Sequence, residues 1–302
     1  MRVLHVDSGR EMRGGQWQVI YLLEGLAARG HECVLLAREG SPVYQEASAR
    51  GMDVRPLDAV RLITLARRSD LTHAHDARAH TLAALLGAGP LAVARRVAFP
   101  LSTGLASRWK YGHADHYLAV SRHVGDILRG AGIDENRISV IYDGVPVPET
   151  VAPIESRAEC IVAPATSDPA KGSDLLAEAA GAIGVHILFT KNLQLDLPKA
   201  TIFVYITRRE GLGSAALLAM AAGAAVVVSR TGGLTEIVEH EVTGLLTEND
   251  PGSISRAIRR LQEDPALAST LGNRARARIR DRFPVSAMVD GTAAVYERML
   301  RC

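Results

Sequence analysis

Short apolar runs alternate with stretches of helical period along the chain, and that alternation restricts the fold to open parallel α/β sheets. Residues 3–6 read as a strand and 8–15 as a polar loop ending in Gly14-Gly15. Residues 16–29 carry Val19, Leu22, Leu23, Leu26 and Ala27 at helical spacing, Gly30 stops that helix, and 33–37 is the next strand. Such a strand, loop, helix, strand unit pairs its strands in parallel. The same reading predicts helices at 43–50, 59–68, 77–86, 107–112 and 121–129, and strands at 53–56, 70–75, 91–97, 116–120 and 138–141. Residues 142–157 hold Asp143-Gly144, Pro146, Pro148 and Pro153 without any period, which marks a linker. Beyond it the pattern restarts, with strands at 160–163, 185–190, 201–206, 225–229 and 244–246. Helices follow at 173–182, to 222, and at 234–239, 253–262, 265–281 and 284–300. The expectation is two α/β domains, 1–150 and 151–283, facing a cleft, with 284–302 a closing helix. Ligands in such sheets sit at the carboxyl ends of strands.

Composition narrows the function classes. The 302 residues are 47% hydrophobic and 23% charged, which suits a packed core. Aromatics at 4% are too few for the stacking platforms of a single-strand nucleic-acid binder, and a net charge of +2 sets up no field for a polyanion. Cys33, Cys160 and Cys302 are far apart and show no metal or disulfide spacing, which fits a reducing compartment. The first residues do not read as a signal peptide, and no apolar run nears the ~20 residues of a membrane span. The expected location is the cytoplasm, with peripheral contact at the inner membrane surface as a further option.

One stretch concentrates the chemistry. The buried strand 202–206 leads into Arg208-Arg209-Glu210-Gly211-Leu212-Gly213-Ser214 and then a helix of small and aliphatic residues. Glycines let a ligand approach the backbone, and a helix start offers unpaired N–H groups and a positive dipole end. A carboxylate there is suited to hydroxyls rather than phosphate. Lys171, at another helix start, is a cation at the unfavourable dipole end, so an anionic partner is implied. His73, His75, Asp76 and His80 are close in sequence, but His80 falls on the next helix, so no metal site is expected. His75 at a strand end and Arg108 are candidates for an acceptor side. Arg95, Arg96, Arg108, Lys110 and Arg122 read as a solvated face that could also meet a phosphorylated lipid or an anionic bilayer. The first loop lacks the Gly-x-Gly-x-x-Gly spacing of nicotinamide enzymes.

Four segments, in order, carry a family resemblance. They are Gly14-Gly15 with the helix ending at Gly30; Ala114 to Ser121 continuing to Val140 through Val145; Asp168-Pro169-Ala170-Lys171-Gly172; and Glu210-Gly211-Leu212-Gly213 through Gly223, Val226 to Ser229 and Gly232 to Val238. Over nearly its whole length the chain resembles the family-4 glycosyltransferases of GT-B fold, retaining enzymes that use nucleotide sugars. The resemblance implies two Rossmann-like domains, the second trimmed because the span from Lys171 to Glu210 is short, and a last helix crossing back to the first domain. It implies that Lys171 stabilises the leaving diphosphate and that Glu210 contacts the donor sugar. Gly14, Gly15, Gly211, Gly213 and Ser214 would lie along a UDP- or GDP-linked donor. A glycan or glycolipid would be the acceptor, and no cofactor and no metal would be needed.

The departures are specific. Leu218 stands where the family's second glutamate grips the ribose, Thr166 where its arginine assists the lysine, and Phe99-Pro100-Leu101 where a His-Gly pair is common. Arg208, Arg209 and Arg230 are candidate replacements for the arginine. These departures keep two alternatives open: a non-catalytic nucleotide- or glycan-binding descendant, and a nucleotide-sugar epimerase.

Overall fold

The computed structural model describes residues 1–102, 104–158 and 160–301. It divides into two compact units, Met1–Asp143 with the closing helix, and Gly144–Pro284.

The first unit is a seven-stranded parallel sheet. Its strands are β1 (Arg2–Asp7), β2 (Glu32–Ala37), β3 (Val54–Pro56), β4 (Leu71–Ala74), β5 (Leu91–Arg95), β6 (His116–Ala119) and β7 (Ile138–Val140), in the order β3-β2-β1-β4-β5-β6-β7. Between them run α1 (Gly14–Ala27), α2 (Pro42–Ala49), α3 (Ala59–Ala66), α4 (Ala77–Leu85), α5 (Leu105–Gly112) and α6 (Arg122–Gly130). The central strands are apolar on both faces, as helices on both sides of a parallel sheet require: Val3, Leu4, Val6, Val34, Leu35 and Leu36 have no exposed surface. Asp58, Asp76 and Ser121 start α3, α4 and α6 by accepting from first-turn amides, the role short polar side chains fill at a helix start.

The second unit has five parallel strands, β8 (Ile161–Pro164), β9 (Ile187–Thr190), β10 (Ile202–Tyr205), β11 (Ala225–Ser229) and β12 (Leu245–Thr247), ordered β12-β11-β10-β8-β9. Its helices are α7 (Ser173–Ile183), the short α8 (Leu193–Asp196), α9 (Ser214–Ala221), the short α10 (Leu234–Ile237), α11 (Pro251–Glu263) and α12 (Pro265–Arg282). This sheet is two strands narrower than the first, the trimming expected from the short span between Lys171 and Glu210. The last helix, α13 (Val285–Arg301), belongs to the first unit, where Met288, Val289 and Tyr296 share a core with Tyr21, Leu22 and Leu26 of α1.

Three local readings change. Helix α1 starts at Gly14, so the glycine pair forms its first turn rather than the loop before it. Glycine has poor helix propensity, which hides such a start. The aperiodic 142–157 stretch is not a free tether from Gly144 onward. Ile154 is buried in the second unit's core, and Arg157 donates to the carbonyls of Ala200 and Ala222. The short helix α8 was not foreseen, being too brief to show a period. Cys33 and Cys160 carry free thiols, and Cys302 lies outside the described residues. Among the described residues, no helix is long and apolar enough to cross a membrane.

Candidate functional site

In the second unit the chain leaves β8 for β9 on one side and returns to β10 on the other, so the carboxyl ends of β8 and β10 flank a topological switch point. Open α/β sheets bind ligands at such points. Lys171 and Glu210 are delivered there by the two loops.

The loop after β8 closes with a 3-10 turn, Pro169–Lys171. Asp168 starts the turn, its carboxylate accepting from the Ala170 amide at 2.9 Å. The turn is tied to the end of β10, where the Arg208 amide donates to the Ala170 carbonyl at 2.7 Å. Gly172, at φ +59°, turns the chain into α7. Lys171 Nζ then reaches Glu210 Oε2 at 2.6 Å and the Tyr205 hydroxyl at 2.8 Å. Tyr205 also donates to Glu210 Oε2, and the Gly211 amide donates to Glu210 Oε1 at 3.1 Å. Lysine, tyrosine and glutamate thus form a closed ring of hydrogen bonds. Two of the three ammonium hydrogens are committed, leaving one for an anion. Glu210 Oε1 keeps a lone pair for a hydroxyl. Both charged side chains are half-buried, 26% exposed at Lys171 and 14% at Glu210, which leaves them open to a ligand.

Glu210 through Gly213 lead into α9, with Gly213 preceding its first residue, Ser214. Gly211 and Gly213 are buried, whereas Ser214, Ala215 and Leu218 are partly exposed. Ser214 and Leu218 are one turn apart and share a face. Leu218 therefore offers apolar contact beside the helix start, where an acid would offer hydrogen bonds. The loop rests on Gly233: a Cβ there would lie 2.1 Å from the Gly211 carbonyl oxygen and 2.6 Å from Leu212 Cα. Both are backbone atoms that cannot move aside cheaply. Gly233→Ala should displace the 210–213 loop, lowering stability by about 1–3 kcal/mol as overpacking does. It should also abolish stabilisation by a nucleotide; paired thermal melts with and without nucleoside diphosphate check both effects.

Residues that sequence reasoning missed buttress this loop. The Thr207 amide donates to Ser229 Oγ, Ser229 donates to Asn249 Oδ1 at 2.6 Å, and Asn249 Nδ2 donates back to the Thr207 carbonyl at 3.0 Å. Ser229 ends the predicted strand, a usable signal, but Asn249 lies 42 residues from Thr207 and showed none. Thr166 accepts from the Asp168 amide at 3.1 Å and serves the turn. Of the candidate replacement arginines, Arg208 pairs with Asp174 at 2.8 Å and Arg230 with Glu248 at 3.2 Å.

The first unit has its own switch point between β1 and β4. Gly14 and Gly15 supply first-turn amides of α1, donors a helix leaves unpaired. Asp7 ends β1, and burial, then the neighbouring Asp76, raises its carboxyl pKa. Asp76 accepts from the Ser8 amide and hydroxyl and starts α4.

His75, a candidate for the acceptor side, is internal. His75 is 6% exposed, its ring stacked on His5, with His5 Nδ1 and His75 Nε2 3.0 Å apart. The cause is register: His5 and His73 are neighbours across β1 and β4, and His75 lies two residues on, over the same face. His73 meets the hydroxyl of Tyr296. Burial lowers the His5 pKa to about 3; burial, the other rings and Arg96 hold His73 and His75 well below the ordinary histidine value. The potential metal-ligand group is therefore His5, His73 and His75, not the sequence cluster. His80 instead hydrogen-bonds the Lys110 carbonyl at 3.1 Å. Arg108 is exposed on α5, along a groove of about 810 Å³ that also includes Ser102, Tyr111 and Arg137.

Comparison with known proteins accounts for both units. The family model for Glycosyltransferase Family 4 matches residues 12–148, and that for Glycosyl transferases group 1 matches 159–278. The human alpha-1,3/1,6-mannosyltransferase is 34% identical over 94 residues, 31% of this chain and 23% of that protein. The lipopolysaccharide core biosynthesis mannosyltransferase LpcC of Rhizobium leguminosarum is 31% identical over 125 residues, 40% of this chain and 36% of that one. The chain thus spans only about a quarter to a third of the length of these curated relatives. The Anabaena protein HepE, solved in complex with UDP and glucose, superposes with a TM-score of 0.86 at 18% identity, over 99% of this chain and 100% of that one, which establishes a GT-B fold. With both of its units matched in order, the chain belongs to the family-4 glycosyltransferases.

Proposed function

We propose that the protein transfers a sugar from a UDP- or GDP-linked donor to an acceptor hydroxyl, with retention at the anomeric carbon. The observation that carries this reading is the Lys171–Glu210 pair at the β8/β10 switch point, 2.6 Å apart and open to a ligand. The bond from the anomeric carbon to the diphosphate breaks, negative charge grows on the departing phosphate oxygen, and the acceptor oxygen bonds to that carbon while its proton passes to that phosphate oxygen. Lys171 is the fixed cation that offsets the growing charge. The first amides of α9, at Ser214, add donors to the same anion. Glu210 accepts from a sugar hydroxyl and orients the ring. In this reading Lys171 does what a divalent cation does in other transferases, so the reaction runs without a metal.

The acceptor is a glycan or glycolipid of the envelope. The relationship to a lipopolysaccharide core mannosyltransferase supports that class. So does α5, which exposes Leu105 and Trp109 beside Arg108, a composition suited to peripheral contact with an anionic membrane from the cytoplasmic side.

Incubation with a panel of nucleotide sugars, with and without lipid-linked glycan acceptors, tests the reading. Proton NMR of the product should show the donor's anomeric configuration. An isomerised donor formed without acceptor would show an epimerase instead, and nucleotide binding without turnover a non-catalytic descendant, the outcome that Leu218 and Thr166 favour.

A further inference from the structure

We propose that Tyr205 is a positioning residue of this site, its hydroxyl coupling Lys171 to Glu210 and holding the carboxylate when the ammonium moves onto a phosphate. The inference rests on the transferase reading and deepens it.

Tyr205 is the last residue of β10, 9% exposed, with its ring stacked on Phe203 at 6.3 Å between centroids. Lys171 Nζ lies 5.3 Å from the ring centroid, out beyond the hydroxyl, so the phenol oxygen rather than the aromatic face holds the cation. The hydroxyl accepts from Lys171 and donates to Glu210. Burial first, and then the Glu210 charge, push the phenol pKa well above the ordinary tyrosine value, so the group stays a donor throughout the neutral range.

The ring of hydrogen bonds has a built-in difficulty. The residues assigned to the phosphate and to the sugar are paired with each other. A diphosphate that draws Lys171 away removes a strong partner from Glu210 Oε2, leaving the Gly211 amide on the other oxygen. A neutral donor fixed to the strand end solves this. Tyr205 keeps Glu210 placed without carrying a charge that would follow the phosphate, and it still guides the ammonium through its second contact. Phenylalanine would fill the same space and keep the ring contacts, but would break both links.

Tyr205→Phe is therefore the test. The expected result is kcat lower by about 10- to 100-fold, the scale of one hydrogen bond to a charged group. Donor KM and nucleoside diphosphate affinity should stay within about three-fold, less than a single charge-assisted bond is worth. In a Glu210→Gln background the same change should add little, because the two residues act as one unit. A second readout needs no turnover. Acylation of Lys171 by an amine-reactive reagent, normalised to the exposed Lys191 and Lys199, should be faster in Tyr205→Phe than in the wild type. Equal labelling rates together with unchanged kcat overturn the proposal. A parallel loss of melting temperature and nucleotide affinity also overturns it, since that is the signature of a merely structural residue. A clear labelling contrast in a chain that turns over no nucleotide sugar supports the coupling and overturns the transferase reading instead.

Discussion

Lys171→Ala should lower turnover of a nucleotide-sugar donor by about 100- to 1,000-fold, the loss typical when one preorganised group facing developing charge is removed. The size follows from the environment. Lys171 is the cation the structure aims at the switch point, whereas Arg208 and Arg230 are engaged with Asp174 and Glu248. With Thr166 in the arginine position of the family, there is less to compensate. Folding should be little affected, because the turn before Lys171 is held by Asp168, Gly172 and the Arg208 amide rather than by the ammonium. Lys171→Arg should recover little activity: a planar fork cannot meet Tyr205 and Glu210 as a compact ammonium does. Stopped assays of donor consumption, paired with circular dichroism, separate chemistry from folding.

Acid should unfold the first unit early. His5, His73 and His75 are buried and neutral, with folded pKa values below that of an unfolded histidine near 6.5. For a depressed histidine the unfolded state binds the proton more readily. The stability it contributes is complete above pH 6.5 and is lost as pH falls from there toward the folded value. His5, lowered to about 3, alone accounts for a loss of about 2 kcal/mol at pH 5 relative to pH 7.5, at about 1.4 kcal/mol per pH unit. His73 and His75 act in the same direction and repel one another once charged. Denaturant unfolding at pH 7.5 and 5.0 should show the drop. His5→Gln should flatten the pH dependence, and an equal midpoint at both pH values would contradict the assignment.

The contrast between these two sites shows what the sequence made legible. Glu210-Gly211-Leu212-Gly213 is a local motif: strand end, acid, glycines and helix start are adjacent in the chain, and the fold keeps them adjacent. Lys171 is 39 residues away, yet its own turn, Asp168-Pro169-Ala170-Lys171-Gly172, has enough local chemistry to be recognised. Tyr205 was visible only as an apolar member of a strand. Its hydroxyl acquires a purpose through two partners that converge on it in space. The buried histidine group was illegible for the opposite reason. His73, His75, Asp76 and His80 are close in sequence, but a strand end and a helix start send them apart: Asp76 caps α4 and His80 meets α5. The partner that completes the buried group, His5, arrives through β1–β4 pairing 68 residues away from His73, which no local pattern encodes. The alternation of strands and helices, by contrast, is a repeated local signal, and it carried the two-sheet architecture.

The central claim is that Lys171, Tyr205 and Glu210 form the donor site. Calorimetric titration of UDP and of GDP into the wild type and Lys171→Ala tests it most directly. The account predicts saturable binding of one of the two nucleotides by the wild type and affinity at least about 10-fold weaker in the variant, as expected for loss of a charge-assisted contact to phosphate. Binding of equal strength by both proteins, or no binding by the wild type, would contradict it.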